Sequence, residues 1–94
     1  MNLRRLLLDV DKAIARPSLL DIAKAIQGCK GVEAFNVTVS DIDIETVGMD
    51  VTIEGSGLDY DEIATAIENT GAVVHGIEQI VAGERMVERV PRAR

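Results

Sequence analysis

Tryptophan is absent from this chain, and cysteine, histidine, phenylalanine and tyrosine occur once each in 94 residues. A lone cysteine, Cys29, leaves no internal disulfide and no CxxC pair for a metal or redox centre. With so few aromatics, the core has to be built from Leu, Ile, Val and Ala. The hydrophobic fraction of 47% rules out a disordered polymer. No apolar run reaches the roughly 18–20 residues that span a bilayer. The N-terminal stretch MNLRRLLLDVDK has only three leucines between Arg5 and Asp9. That is too short for a signal peptide, so the expected location is the cytoplasm.

Positive charge is missing from the middle of the chain. Residues 31–84 contain no Lys or Arg and twelve Asp or Glu. Residues 1–30 carry six bases against three acids, and residues 85–94 carry four bases against one acid. An acidic middle repels a phosphate backbone, which argues against a nucleic-acid partner. The basic ends are expected to meet acidic surface, within one subunit or on a neighbour.

What remains is a clear alternation of periodicities. Residues 3–10 read as a strand with Leu6, Leu8 and Val10 on one face and Arg5, Leu7 and Asp9 on the other. After the linker KAIARP, Ser18 caps a helix over 19–29, with Asp21 at the reciprocal position of a capping box. Residues 32–44 form a second strand whose inward parity flips after Val39, so a bulge is expected near Ser40–Asp41. A turn over 45–48 leads to a third strand at 49–54. Asp59 caps a second helix, with Glu62 expected to reciprocate, and Gly71 is placed just past its end. Residues 72–82 form a fourth strand of unclear parity, with a bulge expected at Gly76.

The order β-α-β-β-α-β is the split βαβ arrangement. It predicts an α+β, ferredoxin-like fold: a four-stranded antiparallel sheet with both helices on one face. The open face is expected to carry Arg5, Leu7, Asn36, Thr38, Asp50 and Thr52. The domain is expected over 1–83, with residues 84–94 as a tail that makes an oligomer contact and ends in a mobile PRAR.

Four segments, GVEAFNVTV at 31–39, IDIET at 42–46, VTIEGSGLDYDEIATAIE at 51–68 and VVHGIEQIVAGERMVE at 73–88, resemble the domain-of-unknown-function 211 family of small archaeal proteins. The resemblance spans nearly the whole chain. It implies a ferredoxin-like fold and ring-like or otherwise closed homo-oligomers. It brings no agreed activity, and so no catalytic residues to carry over.

Few residues point to chemistry. Asp41, Asp43 and Glu45 alternate along a strand end, so three carboxylates could converge on Ca²⁺ or Mg²⁺. The competing reading is an acidic strand end that discourages edge-to-edge pairing. Asp59, Asp61 and Glu62 are accounted for by the helix dipole. His75 and Glu78 could form an acid–base pair, but their spacing puts them on opposite faces of a regular strand. Cys29 follows the C-terminal end of its helix, where nothing favours a thiolate, and reads as a buried thiol. The GSG at 55–57 lacks the lysine of a phosphate-binding loop.

The familiar uses of this fold fail on missing residues. Iron–sulfur ligation needs more cysteines, and RNA stacking needs aromatics on the central strands.

Three classes of function are left. One is an oligomeric module that binds or senses a small ligand or divalent cation at a subunit interface. Another is a structural or interaction protein whose role is homo-oligomeric assembly. The third is an enzyme using interface residues such as His75, Glu78 and Arg85. In each the partner is a second copy, with no membrane and no nucleic acid. The tail supplies Arg85, Met86, Val87 and Arg89 as candidate interface residues beside His75 and Glu78.

Overall fold

Leu6, Leu8 and Val10 alternate with Arg5, Leu7 and Asp9, which makes the first strand two-faced. In the computed structural model, which describes residues 1–92, that strand is β1, Leu3–Ala13. It is followed by α1 (Leu19–Gln27), β2 (Val32–Ile42), β3 (Thr46–Gly55), α2 (Tyr60–Asn69) and β4 (Val73–Ala82). The sheet order is β2-β3-β1-β4, with every neighbouring pair antiparallel. The fold is ferredoxin-like α+β.

Both helices cover the same face. Ile22 and Ile26 of α1 and Ile63 and Ile67 of α2 are buried in one cluster with Leu6, Leu8, Val10, Met49, Val51 and Ile53. Each such side chain contributes about 1.5–3 kcal/mol by leaving water.

The β1–β3 ladder runs without interruption from Arg5↔Glu54 to Ala13↔Thr46. It is longer than alternation alone indicates, because β1 continues three residues past Val10 and β3 starts at Thr46 rather than Met49. Lys12 makes the extension possible. Its aliphatic stem prolongs the buried row while Nζ donates to the carbonyls of Ala13 (3.1 Å) and Ile14 (3.0 Å). β2 correspondingly ends at Ile42, two residues early, because residues 43–45 make the hairpin turn.

One irregularity falls at the start of β1, where a shift between Leu3↔Ala82 and Arg5↔Val81 leaves Arg4 extra; the rest lie on the two outer strands. In β2 the register shifts between Val39↔Met49 and Asp41↔Gly48, leaving Ser40 as the extra residue. This is the bulge expected from the parity flip, and it returns Ile42 to the helix side opposite Val47. A second shift leaves Glu33 extra. In β4, shifts between Leu7↔Gln79 and Leu8↔Ile77, and between Asp9↔Gly76 and Val10↔Val74, leave Glu78 and His75 extra. Those two insertions explain the unclear parity of β4: Val74, Ile77 and Ile80 share the helix side despite their uneven spacing.

Helix α1 has the full capping box. Asp21 N–H donates to Ser18 Oγ at 3.1 Å, and Ser18 N–H donates to Asp21 Oδ2 at 3.0 Å. Hydrogen bonding from the Ser18 N–H, and then from its hydroxyl, holds the Asp21 carboxyl below its ordinary pKa. Helix α2 has half a box. Asp59 Oδ1 accepts from Glu62 N–H at 3.2 Å, but Glu62 Oε2 accepts from Lys30 N–H at 3.3 Å, tying α2 to the loop after α1 instead of reciprocating.

Candidate functional site

The helix-free face of the sheet is composed in rows across the strands. One row runs Ala34–Glu54–Arg5–Val81, the next Asn36–Thr52–Leu7–Gln79, then Thr38–Asp50–Asp9–Gly76, and finally Asp41–Gly48–Asp11–Val73. The expected open-face residues are therefore all there. Charge separates along the strands: Arg5 lies at one end, and Asp9, Asp11, Asp41 and Asp50 gather at the other.

At the acidic end Asp9 directly opposes Asp50. Asp11 and Asp41 flank Gly48, where an added Cβ would lie 3.4 Å from Asp11 Oδ1 and 3.6 Å from Asp41 Cβ. His75 bulges out beside them, its Nε2 2.8 Å from Asp11 Oδ2. Both partners are partly exposed, so the pair is solvated and weak.

The three carboxylates singled out by their alternation are not brought together as a ligand set. Asp41 lies on β2, whereas Asp43 turns back on the hairpin, accepting from Ile44 N–H at 2.7 Å. Among the described residues no group of three or more His, Cys, Asp or Glu side chains is placed to hold a metal ion.

At the other end the C-terminal segment returns across the sheet. Arg4 fixes its start, with Nε 2.5 Å from Gly83 O and Nη2 2.6 Å from Glu84 O. Glu88 then accepts two bonds from Arg5 Nη1 and Nη2, each 2.9 Å, while Arg5 Nε donates to Glu54 at 2.8 Å. Hydrogen bonds donated to Glu88 first, and to Glu54 second, raise the guanidinium pKa further. In return Arg5 holds the Glu88 carboxyl below its ordinary value. Val81, on the open face, is only 5% exposed. A cleft of about 540 Å³ lies here, between the segment and β4.

Within the chain the charged contact of the tail is made by an acid: Glu88 meets the domain's Arg5. The physical reason is reach: Arg5 stands on the face the tail crosses, while the acidic row lies further along the strands.

The other candidates are dispersed. Glu78 lines the cleft with Val87 and Arg89, whereas His75 borders a separate hollow with Asp11, Lys12 and Gly71. His75 and Glu78 therefore do not form an acid–base pair. Arg85 is exposed and Met86 half-buried. Ala93 and Arg94, the last part of the expected mobile end, lie outside the described residues. Cys29 is buried, donating to Ala25 O at 3.4 Å. Desolvation, then the charges of Glu62 and Asp59, push its thiol pKa up, which disfavours the thiolate. The Arg5–Glu88 link went unread in the sequence; 83 positions separate its members, and only the surplus of bases in both terminal blocks hinted that the ends have charged work to do.

No helix among the described residues is long and apolar enough to cross a membrane. Comparison with known sequences agrees with the motif-level resemblance. The uncharacterized protein MJ0319 of Methanocaldococcus jannaschii is 40% identical over 89 residues, covering 95% of this chain and 91% of that protein. Residues 4–94 match the family described as DUF211, uncharacterized ArCR, and the chain belongs to that family.

Proposed function

We propose that this protein is a homo-oligomeric binding module whose working surface forms between copies. The observation that carries the reading is the distribution of exposed apolar side chains at both edges of the sheet. Ile42 and Ile44, at the β2–β3 hairpin, are 69% and 87% exposed. Ile77 and Ile80 on β4 point to the helix side yet remain exposed. Large apolar side chains clustered at unpaired strand edges favour burial against another protein surface.

The dimensions support the same reading. The molecule is a slab of 39 × 38 × 17 Å, one helix layer on one sheet, with much of its second sheet face uncovered. Small domains bury little of their own surface, and subunit contacts supply the remainder.

Native mass spectrometry of the purified protein tests this. The expected result is a defined multiple of the chain mass. A monomer at all concentrations would overturn the proposal. An additional retained mass would place a small ligand at the interface, and a bare assembly would make the assembly itself the function.

A further inference from the structure

We propose that the β2–β3 hairpin tip of one copy, residues 42–45, docks in the cleft beneath the C-terminal segment of the next copy. This inference rests on the assembly reading above and names its two surfaces.

The tip is built as a ligand. Asp43 N–H donates to Thr46 O at 2.8 Å, and Ile44 N–H donates to Asp43 Oδ1 at 2.7 Å, which fixes the turn. A fixed turn loses little entropy on docking. It presents Ile42 and Ile44 to solvent, flanked by Asp41, Asp43 and Glu45 with no base among them.

The cleft is built as the complement. Its volume of about 540 Å³ falls within the roughly 300–1,000 Å³ of clefts that enclose a ligand. Leu7, Val81 and Val87 give it apolar lining, and Arg89 stands on its wall. Arg85 and Arg92 lie on the same segment. Among the described residues, Arg4, Arg85, Arg89 and Arg92 form no ion pair with a carboxylate. Glu88, on the wall, shares the single charge of Arg5 with Glu54, so that trio keeps one negative charge beside that of Glu78, set against the four unpaired arginines. An acidic tip carrying two isoleucines thus meets a cleft of mixed apolar and polar lining with arginines around it, and complementarity of this kind fixes partner and register.

A chain cannot fill its own cleft. The tip lies beyond the Ala13↔Thr46 end of the ladder on the β2 side, and the cleft lies toward the Arg5 end on the β4 side. These are diagonally opposite corners of the sheet. The contact is therefore head-to-tail between copies, and each added copy offers a fresh tip and a fresh cleft.

The test uses Ile44→Asp and Val87→Asp, each assayed by native mass spectrometry, and a double variant, Ile44→Cys with Val87→Cys, under mild oxidation. Both residues are exposed in the single chain, so each variant should stay folded, with a melting temperature close to that of wild type at high dilution. Each aspartate variant should fall to monomer. The double cysteine variant should give a ladder of disulfide-linked chains, with the wild type and its buried Cys29 giving none. A wild type that is itself monomeric would sink the assembly reading and this inference together. A wild type that assembles, with both aspartate variants still assembled and no interchain disulfide, would overturn this inference alone.

Discussion

Gly55 shows how narrowly single residues define this backbone. A Cβ there would strike the carbonyl oxygen of Gly31, and neither backbone segment can yield without breaking the strand entry. Gly31 itself has φ +84°, a conformation that side chains strain to adopt. Gly55→Ala should cost about 2–4 kcal/mol and lower the melting temperature by roughly 10 °C or more, as thermal denaturation would report. A second prediction concerns Glu88 and Asp21, whose carboxyls are both held below their ordinary pKa. The stability each gives is present above its unfolded-state pKa and is lost as pH falls through the folded value. Melting temperature should therefore be flat from neutral pH to about 5 and fall below about 4. Glu88→Gln should loosen the tail at pH 7, seen as faster tryptic cleavage at Arg85 and Arg89, and should remove its share of the acid sensitivity. The apolar rows behind these residues were readable from alternation, and so was the Ser18–Asp21 box. The Arg5–Glu88 bond was not, because it depends on how a tail without periodicity is routed across the sheet.

At the scale of elements, the two helices and the central ladder follow from local patterning, whereas the outer strands do not. Periodicity reads a strand as uniform, so it located the bulge at Ser40, where apolar parity flips. It could not resolve β4, where two insertions three residues apart restore the apparent phase. The tail carries no periodicity from which its path could be read. It adds no strand to the described sheet; it covers Val81 and closes the cleft. Deleting residues 84–94 should leave far-UV circular dichroism unchanged, because the core cluster draws nothing from the tail. The same deletion should expose Val81 and Leu7 and lower the oligomeric state, which light scattering would report. Persistence of the full assembly would remove the tail from the interface.

The whole molecule is a thin slab, and its charge is distributed accordingly. The acids of the middle block lie on β2, β3 and β4, at the hairpin and on α2, while Arg4 and Arg5 meet the basic tail at one corner of the sheet and Lys12, Arg16, Lys24 and Lys30 lie elsewhere. That segregation was visible in the sequence as three blocks; which corner each block would occupy was not. If association adds burial that the slab lacks, folding and assembly are linked by mass action. Melting temperature should then rise with protein concentration, by several degrees across about two orders of magnitude, in the wild type, and should be independent of concentration in Ile44→Asp.

The extra residues of the outer strands have a consequence for descent. The central ladder has no slack: one residue gained or lost in β3 would turn every side chain beyond it to the wrong face. Glu33, Ser40, His75 and Glu78 each already stand outside the pairing count. Relatives that differ in length should thus carry their alignment gaps at these four positions, in the hairpin turn or in the tail, and none inside the β1–β3 ribbon. Lineages could change the rim by a residue at a time, altering how copies meet, while inheriting the interior intact.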